Sequence, residues 1–171
     1  MSGLAYVIGG ARGEGDRLLA EVAAALAARG WPLAGVVQIN TDRGDSPCDM
    51  DLSVLGLGRT VRISQSLGPH SQGCRLDPEG LETAVGLVAG TLARGPRLMI
   101  VNKFGKAEVE GRGFRPLIGE ALAAGIPVLT GVRAVNLEGF RAFAGGFEEA
   151  LEGQVSAILR WCDAVAGEAG A

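Results

Sequence analysis

The sequence predicts an α/β domain built on a mostly parallel sheet, and three observations support this prediction. Short apolar segments that suit buried strands alternate with amphipathic segments that suit helices. The first apolar segment ends in a glycine-rich turn that leads into a helix, as in a right-handed βαβ unit. Hydrophobic residues make up 47% of the 171 residues and charged residues 20%, which suits one hydrophobic core and excludes a disordered chain. We therefore expect a single domain over residues 1–171.

The first elements are a strand, a helix and a second strand. Residues 4–8 are apolar and end in two glycines. The helix that follows ends near Gly30, and residues 33–38 provide the second strand before a polar loop over residues 40–47. The apolar positions of this helix recur every four residues, at Leu18, Val22 and Leu26.

A β-hairpin is predicted next, as an insertion between the elements of the parallel sheet. Residues 50–55 and 60–65 are β-like segments, and Gly56 and Gly58 mark the turn between them. Because a hairpin brings its two ends together, we expect Cys48 and the stretch from Ser64 to Cys74 to lie near one another.

A second helix begins with a capping pair. Asp77 is a favourable N-cap residue, and Pro78 suits the first helical position. The apolar stripe of this helix comprises Leu81, Val85, Val88 and Leu92.

Strands and helices continue to alternate in the second half. Residues 98–101 and 127–131 are strands of the buried type; a polar loop over 103–113 follows the first and a short helix over 136–143 follows the second. The helix between these strands has its apolar face at Phe114, Leu117, Ile118, Ala121 and Leu122. A final amphipathic helix contains Phe147, Leu151, Val155, Ile158, Leu159 and Cys162. We expect fraying from about residue 164.

Charge and composition exclude several classes of protein. With 16 basic and 19 acidic residues the net charge is −3, so the chain lacks the positive field of a nucleic-acid-binding protein. No apolar run is long enough for membrane insertion, and the first residues lack the basic region of a signal peptide. Three widely spaced cysteines indicate free thiols. We therefore expect a cytoplasmic protein; the sequence leaves its oligomeric state open.

A glycine-rich segment from Gly10 to Arg17 matches part of the phosphate-binding loop G-x-x-x-x-G-K-[ST]. Asp16 stands in the lysine position and Arg17 in the hydroxyl position. A glycine loop at a helix N-terminus still offers backbone N–H groups to an anion. Three interpretations follow: Asp16 is an ordinary N-cap residue, or Arg12 and Arg17 belong to an anion site, or the loop hydrolyses nucleotides, which has the least support.

A second polar segment, Asn102 to Gly113, follows a strand at the sheet edge where open parallel sheets bind ligands. It begins like the guanine-reading motif N-K-x-D, but Gly105 replaces the aspartate, so no base specificity is predicted. Glu108 and Glu110 are either ion-pair partners or water-activating carboxylates, and a solvated charged loop is the alternative. The cations that suit an anion here are Lys103, Lys106 and Arg112.

A third segment, residues 62–77, is dense in groups that form hydrogen bonds to oxygen atoms. These include Ser64, Gln65, Ser71 and Arg75. Its His70 is the single histidine of the chain and is expected in an exposed loop. The spacing of Cys48, His70 and Cys74 matches no zinc signature, so a thiol lining a polar pocket is favoured over a metal site.

Three motifs together carry a family resemblance. They are S-Q-x-L-G-x-x-S-x-G-C-R-L-D, N-K-F-G-K-x-E-x-x-G-R-G and G-I-P-V-L-T. The chain, from Tyr6 to about Trp161, resembles an uncharacterised bacterial domain family often encoded beside molybdate ABC-transporter genes. That family is similar to small P-loop nucleoside-triphosphatases, which carry a glycine loop, an inserted hairpin and an acidic second motif. The resemblance therefore implies a P-loop-NTPase-like fold.

The resemblance implies that Gly10–Arg17 occupy the phosphate-loop position and Asn102–Lys106 that of the acidic magnesium motif. The phosphate loop lacks its usual lysine and hydroxyl residues, and the second motif lacks its usual acidic residues, so magnesium–triphosphate chemistry is not expected. We therefore expect a binding or regulatory protein for a molybdate- or tungstate-type oxyanion or a nucleotide phosphate, linked to molybdenum uptake or cofactor metabolism. The expected binding residues are Gly10, Arg12, Gly13, Gly15, Asp16, Arg17, Ser64, Gln65, Ser71, Arg75, Asn102, Lys103, Lys106 and Arg112.

Two alternatives belong to other classes of function. The first is a magnesium-dependent phosphoryl-transfer enzyme with rearranged residues, in which Glu108 or Asp16 is the base or metal ligand and Lys103 stabilises the transition state. The second is an interaction module that contacts a transporter ATPase or a cofactor-assembly protein.

Overall fold

The computed structural model describes residues 2–10, 13–43, 46–65 and 75–167. The strands within them are β1 (Leu4–Ile8), β2 (Leu33–Arg43), β3 (Ser46–Val54), β4 (Arg59–Arg62), β5 (Ser64–Gln65), β6 (Arg75–Leu76), β7 (Leu98–Val101), β8 (Val128–Val132) and β9 (Glu148–Ala150). The α-helices are α1 (Glu14–Ala28), α2 (Pro78–Leu92), α3 (Lys106–Val109), α4 (Arg115–Ala123), α5 (Leu137–Ala144) and α6 (Val155–Cys162). A 3₁₀ turn precedes α5 (Ala134–Asn136), and a π-helical turn follows α6 (Asp163–Gly167).

Seven strands form one sheet in the order β4-β3-β2-β7-β8-β1-β9. The neighbours from β2 to β9 pair in parallel, whereas β3 and β4 are added antiparallel at one edge. The predicted α/β class and the predicted hairpin are therefore confirmed. The carboxyl ends of β1, β2, β7 and β8 lie at the same edge of the sheet, which we call the carboxyl edge.

Helices cover both faces of the sheet and give two hydrophobic clusters. The helices α1 and α6 pack on one face through residues such as Leu19, Val22 and Trp161. The helices α2, α4 and α5 pack on the other through residues such as Val88 and Ile118. The chain therefore folds as three layers, and the N-terminus of α1 lies directly after β1.

The second strand is longer than the sequence predicts. Residues 40–43, which we expected in a loop, continue β2 and pair with β3, so that Asn40 lies opposite Met50. Polar residues that suit a turn are accommodated here because the antiparallel ladder with β3 bonds their backbone groups. The predicted strand over 60–65 is split at the buried Ile63 into β4 and β5.

The final helix is shorter than predicted. Residues 148–150, which we expected in this helix, form β9 and pair with the free edge of β1, and Leu151 N–H continues this ladder to the Tyr6 carbonyl at 2.9 Å. Completing the sheet edge outweighs the helical pattern, so α6 starts only at Val155. Residues 163–167, the start of the segment expected to fray, form a turn in which Ala166 is buried.

Candidate functional site

The carboxyl edge brings the first two of the three predicted segments together. The glycine-rich segment follows β1 and enters α1, while Asn102 and Lys103 follow β7. The longer β2 adds Asn40 to the same place. We call the set Gly9, Gly10, Gly13–Arg17, Asn40, Asn102 and Lys103 the edge site.

The glycine loop is held by backbone contacts. Gly9 N–H donates to the Val132 carbonyl at the end of β8, at 3.1 Å. Gly13 is the N-cap of α1 and has φ 79°, a left-handed conformation that side chains disfavour, and it makes no side-chain cap. A Cβ on Gly15 would lie 3.6 Å from the Gly9 Cα. These glycines bring no side chains of their own to the helix N-terminus, a feature of anion-binding loops, and the Glu14 carboxylate lies close to Gly10, where a Cβ would be 2.7 Å from Glu14 Oε2.

Asp16, in the lysine position of the motif, is the centre of a buried hydrogen-bond network. Asp16 is only 6% exposed to solvent. Its Oδ2 accepts from Asn40 Nδ2 and its Oδ1 from Asn102 Nδ2, each at 2.7 Å. Lys103 Nζ lies 3.6 Å from Oδ1 and forms an ion pair. The carboxylate is therefore satisfied by three side chains from two segments, β2 and the loop after β7, rather than acting as a simple N-cap.

A second layer of bonds orients the two amides. Gln38 N–H donates to Asn102 Oδ1 at 2.8 Å, and Gln38 Nε2 donates to Asn40 Oδ1 at 2.9 Å. The carbonyl oxygen of each amide is therefore used, which points each NH₂ group toward Asp16. Gln38, a residue that the sequence did not single out, completes a connected network at the ends of β2 and β7.

The other predicted cations are placed differently from Lys103. Arg17 and Lys106 are exposed and form no ion pair within the described part of the chain. Arg112 pairs with Glu110 in its own loop. Arg17 and Lys103 are therefore the predicted cations that the described edge site contains.

The third predicted segment is described only at its ends. Ser64 Oγ accepts from the Met50 N–H at 3.0 Å, and Gln65 Nε2 donates to the Leu76 carbonyl at 3.1 Å, so both side chains are used in β-sheet contacts. The Ser64–Met50 contact brings the start of this segment to β3, whereas the expected approach of Cys48 to the rest of the segment involves residues and side chains outside the described ones. Arg12, Ser71, His70 and Cys74 lie outside the described residues, and so do the side chains of Arg75 and Cys48.

Glu108 stabilises its own loop through hydrogen bonds to the backbone. One carboxylate oxygen accepts from Gly105 N–H at 2.8 Å and the other from Phe114 N–H at 2.9 Å. Burial raises the pKa of this carboxyl group above its usual value, although the two backbone N–H donors act in the opposite direction. With both oxygens bonded to backbone, the structure gives no support to Glu108 as a water-activating group.

The loop after β7 is also anchored by an aromatic residue that the sequence analysis treated as part of a polar loop. Phe104 is fully buried, and its ring centroid lies 5.1 Å from that of Phe140 and 5.2 Å from that of Phe143. The predicted loop over 103–113 is therefore partly ordered by packing and contains the helical turn α3. This anchor fixes the adjacent Lys103 beside Asp16. In the sequence, the signal for this anchor is a lone aromatic residue, Phe104, between Lys103 and Gly105.

The donor set does not fit a magnesium–triphosphate complex. That chemistry uses a lysine on the phosphates and hydroxyl and acidic ligands for magnesium. Here the corresponding positions hold Asp16, Arg17 and Asn102, and the carboxylate is bonded to amides. Among the described side chains, no group of three or more His, Cys, Asp and Glu is placed to hold a metal ion.

Comparison with solved structures identifies the fold. The crystal structure of THEP1 from the hyperthermophile Aquifex aeolicus matches with a TM-score of 0.60 and covers 94% of this chain and 98% of that one, at 12% identity. This likeness shows a P-loop-NTPase-like fold. Within the described ranges, no helix is both long and apolar enough to cross a membrane.

Comparison with curated proteins finds a relative in Bradyrhizobium diazoefficiens. A molybdenum import ATP-binding protein, ModC 2, is 38% identical over 148 residues, which is 85% of this chain. The match spans 16% of that protein's length, so most of the relative has no counterpart here. Residues 4–161 also match the family described as "Protein of unknown function (DUF2478)". This match covers both loops of the edge site and all of the strands, and the chain belongs to the DUF2478 family.

Proposed function

We propose that this chain is a binding domain that holds a small anion at the edge site and does not hydrolyse it. The anion is the phosphate of a nucleotide or a tetrahedral oxyanion of the molybdate and tungstate class. The exposed helix N-terminus offers N–H donors, and Arg17 and Lys103 offer positive charge beside it.

One observation carries this proposal: Asp16 and Asn102 bond to each other where a phosphate-hydrolysing loop needs a lysine and an acidic magnesium ligand. The network stabilises the loop through its own side chains, so the loop is shaped without a bound nucleotide. Lys103, 44% exposed, is the cation of the network that an anion can reach.

Thermal unfolding of phosphate-free protein tests the proposal. The panel contains molybdate, tungstate, sulfate, phosphate, ADP, ATP and GTP, each with and without magnesium. A ligand at about 100 times its Kd stabilises the folded state by roughly 2.7 kcal/mol, or several degrees in Tm for a domain of this size. Lys103→Gln should reduce the shift, whereas Arg94→Gln, an exposed cation at the other end of the sheet, should not.

The outcomes separate binding from catalysis. A shift with molybdate or tungstate alone identifies an oxyanion-binding domain, and a shift with nucleotides identifies a nucleotide-binding one. Phosphate release that depends on magnesium and disappears in Lys103→Gln would support the rearranged enzyme instead. No shift with any member of the panel would refute anion binding.

A second candidate function is a regulatory module of a molybdenum importer. The 38% identity to a segment of a molybdenum import ATP-binding protein favours it. Binding of this chain to the ATP-binding subunit of a molybdate transporter, measured by surface plasmon resonance, tests it. Lys106→Glu and Arg112→Glu change exposed side chains of the second loop and should weaken a contact made there, whereas Arg94→Glu should not. Absence of binding would remove this candidate.

A further inference from the structure

We propose that Arg133 is a ligand-binding residue of the edge site and supplies the cation that the missing loop lysine would otherwise provide. This inference rests on the proposed anion-binding function and deepens it. Arg133 belongs to none of the three segments that the sequence analysis singled out, and it directly follows β8.

The end of β8 connects the two loops of the edge site. The Val132 carbonyl accepts the N–H of Gly9 at 3.1 Å, and the Gly131 carbonyl accepts the N–H of Phe104 at 2.8 Å. One loop thus bonds to each of the last two residues of this strand. Arg133 follows the residue that holds the glycine loop, so its Cα lies beside that loop.

Backbone geometry places Arg133 on the face of the sheet that α1 covers. A Cβ on Gly131 would lie 3.5 Å from Leu19 Cδ1 of α1, so position 131 faces this helix. Arg133 has φ −84° and ψ 151°, an extended conformation. Because side chains in extended backbone alternate between faces, position 133 shares the face of position 131.

The position of Arg133 along the axis of α1 also places it close to the edge site. Arg133 lies two residues beyond Gly131, a distance of about 6.6 Å along an extended strand. Asp16 lies three residues before Leu19, about 4.5 Å along the helix toward its N-terminus. Since the contact at Gly131 is with the tip of the Leu19 side chain, which leans toward the N-terminus of its helix, Arg133 lies at the first turn of α1 or beyond it, where an anion would bind.

Charge supports a ligand role over a structural one. Arg133 is exposed, makes no side-chain cap at the 3₁₀ turn and forms no ion pair within the described ranges. The first turn of α1 and Lys103 contribute two carboxylates, Glu14 and Asp16, and two cations, so their formal charges cancel. Among the described residues at this end of the sheet, Arg133 adds a third cation to these two carboxylates. A guanidinium also presents two parallel N–H groups to two oxygens of a tetrahedral anion.

Isothermal titration of inorganic phosphate, molybdate and ATP into Arg133→Gln, Arg133→Lys and wild-type protein tests the inference. For the probe that binds, Arg133→Gln should raise Kd about 10- to 100-fold, as expected for loss of a charge-assisted hydrogen bond. Arg133→Lys keeps the charge and loses the paired N–H geometry, so its Kd should lie between those of wild-type protein and Arg133→Gln. Arg94→Gln removes an equivalent exposed charge that precedes β7, at the opposite edge, and should leave Kd unchanged.

The results distinguish this inference from the proposed function. Binding by wild-type protein with an unchanged Kd in Arg133→Gln would overturn the role of Arg133 and leave the proposed function standing. Absence of binding by wild-type protein to any probe would overturn the proposed function and this inference with it. An unfolding midpoint of Arg133→Gln equal to that of wild-type protein without ligand confirms that the fold is intact.

Discussion

Asp16→Ala is expected to lower the free energy of unfolding by about 1.5–5 kcal/mol. The substitution leaves the Asn102 Nδ2 donor buried without an acceptor, and a buried unsatisfied polar group costs roughly 1–3 kcal/mol. Asn40 is exposed, so water can replace its lost bond and the loss there is about 0.5–1 kcal/mol. Lys103 is 44% exposed, which limits the contribution of its ion pair to about 0–1 kcal/mol.

Urea denaturation followed by circular dichroism measures this loss, with thermal unfolding as a second readout. For a domain of this length the Tm should fall by roughly 3–20 °C. Asp163→Ala is the matched control, because it removes an exposed carboxylate whose ion pair with Arg29 is 3.0 Å long and should change stability by less than about 1 kcal/mol. A loss for Asp16→Ala no larger than that of the control would refute the view that the network stabilises the edge site.

The remaining predictions concern the second loop and the core. Gly113→Ala should destabilise the protein by about 2 kcal/mol more than Gly111→Ala, measured by urea denaturation, and equal losses would contradict this. Both glycines have positive φ, but only at Gly113 would the new Cβ lie 1.9 Å from a Glu108 oxygen, whereas the space at Gly111 is open. Burial raises the pKa of Glu108, so protonation of this carboxyl group is more favourable in the folded state than in the unfolded state. Wild-type protein should therefore gain stability relative to Glu108→Gln as the pH falls from about 7 toward the unfolded pKa of about 4.3. Parallel stability profiles of the two proteins would argue against this prediction. Burial also raises the pKa of the Cys162 thiol to about 12, so iodoacetamide at pH about 8 should label this residue only after denaturation, and mass spectrometry of its peptide would reveal any native labelling.

The sequence predicts the architecture well where its signals are local. Buried strands such as β7 are short apolar runs, and Asp77 caps α2 by accepting the Glu79 N–H at 3.1 Å, as its side chain suggests. These local signals fail where pairing with a distant strand decides the secondary structure. The strand β9 contains two glutamates and an alanine and lacks apolar alternation, so its pairing with the free edge of β1 cannot be read from its own residues.

Some residues of the candidate site stand out in the sequence, but their contacts do not. Asp16 stands out because it replaces the lysine of a phosphate-binding loop, and Asn102 and Lys103 because they take the position of the acidic magnesium motif. Their mutual bonds depend on the extension of β2, which adds Asn40, and on the burial of Phe104, which fixes Lys103. Arg133 could not be singled out, because its position depends on the parallel pairing of β8 with β1.

The end of β8 also determines how the two loops move. The N–H of Gly9 and the N–H of Phe104 are bound to adjacent carbonyls of one strand, so local opening of that strand end exposes both amides to solvent exchange. Their hydrogen-exchange rates should therefore change together, even when a ligand contacts only one loop. A pair of amides thus reports occupancy of the carboxyl edge without any labelled ligand.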